Sequence, residues 1–167
     1  ATTEIYTDRS SAASDVYKRQ SLVSACDIRL ATKDAKFSIG ETKLGLVADV
    51  GVIQRMPKTV SSGDMNELAL TGRIFDGEHA ERIRFVNKAY ENSDELFEAG
   101  EKLANEISSN SKRIVQATKQ ALEKSSNLTV DQGLEYAKLW STSFLVSEDL
   151  REGVMAFLEK RDPKFNE

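Results

Sequence analysis

Phe37-Ser38-Ile39-Gly40-Glu41-Thr42-Lys43-Leu44-Gly45-Leu46-Val47-Ala48-Asp49-Val50-Gly51 is the most informative stretch of the chain. Two acids, Glu41 and Asp49, stand eight residues apart in it, each with apolar and glycine neighbours instead of a run of charges. Gly45 and Gly51 bracket Leu46 to Val50, so a turn separates the two carboxylates. Acids placed this way are suited to general acid–base work. A pair of them could face the two ends of a short conjugated system. A plainer reading stays open on these residues alone: Asp49 as the cap of a following helix, and Glu41 as a turn carboxylate.

Upstream and downstream of this stretch the pattern is α/β. Ile28-Arg29-Leu30-Ala31 and Lys36-Phe37-Ser38-Ile39 read as short strands, with Thr32-Lys33-Asp34 turning between them. A helix is expected to begin near Asp49 or Val50 and to stop before Pro57, because a residue preceding proline avoids the α region. Asp64 to Thr71 reads as a helix closed by Gly72, and Gly77 to Ile83 as a shorter one. Phe85-Val86-Asn87-Lys88-Ala89 reads as a strand.

From residue 91 onward the pattern is almost entirely helical. Asn92-Ser93-Asp94-Glu95 and Thr129-Val130-Asp131-Gln132 are capping boxes, and Ser147 caps a last helix. Ile114, Val115, Thr118, Ala121 and Leu122 mark one helix. Leu134, Ala137, Trp140, Phe144 and Leu145 form the stripe of another, with Trp140 and Phe144 assigned to packing. Four helices in roughly 75 residues, with few strands to cover, imply packing against another body such as a partner subunit. Three zones follow: 1–20, a polar segment without sustained period; 21–90, the α/β part; and 91–167, a helical assembly region.

Composition excludes several classes. The 167 residues are 40% hydrophobic and 30% charged with only two prolines, unlike a collagen or a low-complexity tail. No apolar run approaches the roughly 20 residues of a membrane span. With 23 basic and 27 acidic residues, the net charge of -4 argues against a generic nucleic-acid binder. His79 is the only histidine, in a polar stretch read as surface, so a Ser-His-Asp triad has no support. Cys26 is the only cysteine, so no internal disulfide forms; it reads as a buried structural thiol. No metal-ligand spacing or phosphate-binding glycine loop is present.

Several segments taken together resemble the enoyl-CoA hydratase/isomerase (crotonase) superfamily. They are Ser21 to Ala31, Glu41 to Leu46, Ala48 to Gly51, Gln54-Arg55-Met56-Pro57, Leu70-Thr71-Gly72-Arg73, Phe85-Val86-Asn87 and Phe157-Leu158-Glu159-Lys160-Arg161. The resemblance implies the C-terminal part of a crotonase-like ββα spiral followed by the helical region. An aspartate within Val47 to Gly51 looks like the Δ3,5-Δ2,4-dienoyl-CoA isomerase group, where hydratases carry a proline-glycine-rich turn. It implies an acyl-CoA double-bond isomerase of fatty-acid degradation, with Glu41 as the base at C2 and Asp49 as the acid at C6. Two backbone N–H groups would hold the thioester oxygen of the enolate. Phe157 and Lys160 match positions that contact the adenine and phosphate of coenzyme A, an aromatic face and a cation. Their plainer reading is helix core and solvated lysine.

No separate cofactor is implied, since coenzyme A is part of the substrate. The implied partners are an acyl-CoA thioester and further copies of the chain, as a trimer or dimer of trimers. Enoyl-CoA hydration is the alternative activity, and a non-catalytic acyl-CoA-binding or assembly remnant is a third. Full-length relatives carry an early loop and a glycine-rich segment that supply the two oxyanion amides. Here Asp15 to Gln20 stand in the second one's place and read, with the rest of residues 1–20, as a non-native leader on an N-terminally truncated chain. Ser21 aligns with a third acid of hydratases, Arg84 with a common glycine and Lys112 with a frequent proline. The expected compartment is a bacterial cytoplasm, with mitochondrial or peroxisomal origin as alternatives.

Overall fold

A computed structural model describes residues 22–165; the leader expected at 1–20 lies outside them. The fold is α/β and divides into two compact units, the first ending at Gly100 and the second beginning at Glu101. No helix among the described residues is long and apolar enough to cross a membrane.

Among its described residues the first unit holds four three-residue strands and, wholly within it, three short α-helices. Strands β1 (Leu30–Thr32) and β4 (Lys88–Tyr90) pair in parallel, with Ala31 opposite Ala89. Strands β2 (Lys36–Ser38) and β3 (Ile74–Asp76) pair antiparallel, with Phe37 opposite Phe75. The turn expected after β1 forms, with the Ala35 amide donating to the Thr32 carbonyl, but the two flanking strands pair elsewhere instead of with each other. Phe37 and Phe75 stack at 5.5 Å, and Phe85 meets them edge-on at 5.5 and 6.2 Å. Val52, Met56 and Leu68 complete the buried cluster around this trio.

Helices α1 (Val52–Arg55), α2 (Ser62–Thr71) and α3 (Gly77–Arg82) follow the expected order. The α-helix stops before Pro57 as expected, but a 3-10 turn, Met56–Lys58, carries the chain through the proline, whose missing amide costs nothing in a first turn. Ser61 caps α2 by accepting from the Asp64 amide, and Gly72 closes it in the left-handed conformation at φ 57°.

Strand β3 was not expected from the sequence, and β4 lies further along than the strand expected at Phe85. The physical reason is the end of α3. Arg84 adopts φ 67°, its amide donates to Glu81, and the Phe85 amide donates to Ala80 at 2.8 Å. This is a Schellman closure, and it uses the Phe85 amide before the ladder can. Arg84 thus occupies a left-handed position, a conformation that glycine adopts most readily. The Glu81 carboxylate then bridges to β4, accepting from the Ala89 amide at 2.9 Å and from Lys88 at 3.1 Å. The Ala89 bond foremost, with Lys88, holds its carboxyl below the usual range.

Helix α4 (Ser93–Ser108) crosses the boundary between the units, its start fixed by Asn92 and Glu95: Asn92 Oδ1 accepts from the Glu95 amide, and Asn92 Nδ2 donates to the Glu95 carboxylate. The second unit continues with α5 (Lys112–Ser125), α6 (Val130–Phe144) and α7 (Glu148–Glu159). Both halves of the Thr129/Gln132 capping box form, and Ser147 accepts from the Leu150 amide. Ser111, which caps α5, is buried and donates to Asp149 at 2.5 Å, tying the starts of α5 and α7 together. Trp140 stacks on Phe144 at 6.0 Å along α6, and both are half-buried.

Candidate active site

Glu41 opens a 3-10 turn, Glu41–Leu44, directly after β2 and Gly40. Gly45, at φ 72°, ends the turn by donating to the Glu41 and Thr42 carbonyls. The Thr42 hydroxyl donates to the Ala69 carbonyl at 2.7 Å and anchors the turn to α2. Ser38, buried in β2, donates to the Gly72 carbonyl at the end of the same helix. The Glu41 backbone is therefore fixed from two sides. Its side chain is half-buried, and Oε2 is sealed from solvent with no hydrogen-bond partner among the described residues. Such an unpaired polar atom is costly to bury, and native proteins keep few of them outside functional positions.

Asp49 lies on Leu46 to Val50, which has no regular structure, and its side chain is exposed. Ala48 beside it is buried and pins the segment to the core. The plainer reading of Asp49 as a helix cap does not hold: Gly51 is the N-cap of α1, and no side chain caps that helix. Leu44, Leu46, Val47 and Val50 are exposed around the aspartate, so the segment presents apolar side chains as well as a carboxylate.

Sequence reasoning missed what holds this segment. Arg55 donates from Nη1 to the Val50 carbonyl at 3.1 Å, and its amide bonds the Gly51 carbonyl. Gly51 sits at φ 94°, where a β-carbon would lie 2.3 Å from the Arg55 Nη1. Glycine is favoured there by its left-handed conformation, and it leaves room for the guanidinium. Gln54 to Pro57 was singled out in the sequence, but the bond from Arg55 back to Val50 leaves no local signature.

In the second unit, Phe157 is 83% exposed on the last turn of α7, so the helix-core reading does not apply to it within this chain. Lys160 follows at φ 54°, also exposed. Two other residues differ from expectation. Cys26 is half-buried, its thiol directed to the Leu22 carbonyl. His79 is half-buried against Phe75, with its Nδ1 2.9 Å from Arg82. Arg29 carries a half-buried charge. Its guanidinium donates to the Phe85 and Cys26 carbonyls and lies over the Phe85 ring, and burial pushes its pKa down.

Comparison with known proteins fits this architecture. The chain belongs to the enoyl-CoA hydratase/isomerase family, which matches residues 20–167. Within that family it is 49% identical over 144 residues to a mitochondrial Δ3,5-Δ2,4-dienoyl-CoA isomerase of Dictyostelium discoideum. The match covers 86% of this chain and 49% of the relative. It is 41% identical to the peroxisomal counterpart of Arabidopsis thaliana, over 86% of this chain and 52% of that one. The fold matches the solved enoyl-CoA hydratase of Mycobacterium marinum with TM-score 0.80 at 33% identity, covering 86% of this chain and 57% of that one. The chain spans about half the length of the curated relatives it matches.

Proposed function

We propose that the protein isomerises 3,5-dienoyl-CoA to 2,4-dienoyl-CoA. Glu41 takes a proton from C2, and the electron pair released is delocalised onto the thioester oxygen as an enolate conjugated with the 3,5-diene (a trienolate). Asp49 delivers a proton to C6, leaving double bonds at C2 and C4. The observation that carries this reading is the Glu41 carboxylate, with one oxygen sealed and unpartnered among the described residues at the head of an anchored turn, eight residues before an exposed Asp49 that caps no helix. A half-buried acid with one oxygen shielded from water suits abstraction from carbon, and a second acid beyond a turn suits delivery at the far end of the conjugated system. The names of the two relatives support the same activity.

The reaction moves protons only, so no cofactor is needed beyond the coenzyme A carried by the substrate. Phe157 and Lys160 are proposed to hold its adenine and phosphate. The two oxyanion amides are assigned to the early loop and the glycine-rich segment described above, in whose place this sequence has Asp15 to Gln20. The protein is further proposed to be a homo-oligomer, a trimer or dimer of trimers. Val130, Leu139, Leu145 and Val146 are all more than 60% exposed in the single chain, an apolar surface suited to subunit contacts. Sedimentation of the chain across a concentration series tests that assembly. For the compartment the bacterial cytoplasm remains the proposal, with an organelle origin as the alternative that the relatives' names support.

Enoyl-CoA hydration is the alternative activity. It lacks the second water-positioning acid, since Ser21 stands at that position. Assaying 3,5-dienoyl-CoA isomerisation beside hydration of a 2-enoyl-CoA separates the two. Conversion of the first substrate, lost in Asp49→Asn, supports the isomerase; hydration of the second in its absence favours the hydratase. Binding of acyl-CoA with neither conversion leaves the non-catalytic remnant.

A further inference from the structure

Lys160 stands where glycine is the default. Its amide donates to the Phe157 carbonyl at 3.3 Å, and the Arg161 amide donates to Ala156 at 3.1 Å, the pair of bonds of a Schellman closure. The residue between them must be left-handed, and Lys160 is, at φ 54° and ψ 43°. A lysine side chain there is disfavoured by its own β-carbon, so neighbouring contacts have to hold it.

Those contacts converge on Glu152, two turns earlier in α7. Its two carboxylate oxygens accept from Arg161 Nη1 at 2.6 Å and Nη2 at 3.0 Å, a fork-to-fork pair. Oε1 also accepts from the Lys164 amide at 2.7 Å. Arg161 is held again by Glu159 through Nε at 2.6 Å, and by the Asp162 carbonyl at 3.1 Å. The chain leaving the helix is thereby folded back along α7, with Lys160 at the bend and Phe157 on the turn before it.

We propose that Glu152 is a positioning residue for coenzyme A binding at Phe157 and Lys160. By gripping Arg161 and the Lys164 amide it fixes the bend that presents the Lys160 ammonium beside the exposed Phe157 ring. This rests on the reading that Phe157 and Lys160 receive coenzyme A. Glu152 itself is an anion and does not touch the phosphate. The sign of its effect is therefore diagnostic. By charge alone, removing a carboxylate near a phosphate site tightens binding; loss of a positioning clamp weakens it.

The test is calorimetric titration of the full chain with coenzyme A. Lys160→Gly, which suits the left-handed position, is expected to weaken binding by about 10-fold through loss of the cation. Glu152→Gln is expected to weaken it by roughly 3–10-fold, the cost of ordering a freed segment. Arg161→Lys, which keeps the charge and loses the fork, is expected to follow Glu152→Gln. In the Lys160→Gly background, Glu152→Gln should have no further effect. Unchanged or tighter binding in both Glu152→Gln and Arg161→Lys, with weakened binding in Lys160→Gly, overturns the positioning role and leaves the coenzyme A reading intact. Unchanged binding in Lys160→Gly, or none in the unmutated chain, overturns that reading and the clamp's role with it. Circular dichroism melts accompany each variant. If Glu152→Gln unfolds, Arg161→Lys decides.

Discussion

A β-carbon on Gly77 would stand 1.9 Å from the carbonyl oxygen of Thr32. Helix α3 begins at this glycine and lies directly on the turn after β1, with the Gly77 amide donating to the Lys33 carbonyl at 3.0 Å. Since the obstacle is backbone, it cannot swing aside as a side chain can. Gly77→Ala is expected to destabilise the protein by about 3 kcal/mol. Urea denaturation followed by circular dichroism measures it, and an unchanged midpoint contradicts the close approach.

Arg84 gives the opposite sign. It is a non-glycine residue at φ 67° closing α3, with its amide already bonded to Glu81. Arg84→Gly relieves the left-handed penalty of about 1–2 kcal/mol while adding chain entropy to the unfolded state. A net gain of roughly 0.5–1 kcal/mol is expected, read as a raised thermal midpoint. A lowered midpoint would mean that the side chain makes a contribution larger than its strain.

These two positions mark where sequence reasoning reaches its limit. The helices after residue 91 were legible because their signals are local: Thr129 with Gln132, Ser147 with Leu150, and Asn92 with Glu95 lie within one turn of each other. Strand β3 was not, because three residues between two helices become a strand only by finding Lys36–Ser38, nearly forty residues earlier. The strand expected from Phe85 moved to Lys88 because Arg84 takes a conformation its identity does not advertise. Glu41 and Asp49 stood out as isolated acids. The bonds that hold their segments, Thr42 to Ala69 and Arg55 to Val50, come from the folded arrangement.

Arg55 should accordingly matter for the reaction without touching substrate. Its bond to the Val50 carbonyl holds the residue next to Asp49. Arg55→Met is expected to lower kcat by roughly 10–100-fold through misplacement of the acid, with KM within about twofold. Arg55→Lys should recover part of the loss. A change confined to KM would place Arg55 in binding instead.

The clamp on α7 has a pH signature. Arg161 foremost, and then the Lys164 amide, hold the Glu152 carboxyl at about 2, below its ordinary 4.5. A depressed carboxyl contributes stability that is fully present above the ordinary value and is lost as pH falls toward the folded one. Residues 161–165 should stay docked above about pH 5 and release progressively between about pH 4.5 and 2. Carbon-detected NMR titration of the Glu152 carboxyl reads this directly. A midpoint near 4.5 would mean that the clamp does not persist in solution.

The most direct test of the acid pair is the isomerase assay with the oxyanion segments supplied. This chain, joined to the N-terminal half of its Dictyostelium discoideum relative, is mixed with a 3,5-dienoyl-CoA, and the conjugated 2,4-dienoyl absorbance is followed. Growth of that absorbance is expected, with Asp49→Asn and Glu41→Gln each lowering kcat by roughly 10²–10⁴. A folded hybrid that produces no 2,4-dienoyl product, or one whose rate is indifferent to both substitutions, would contradict the assignment of Glu41 and Asp49 as the proton-transferring pair.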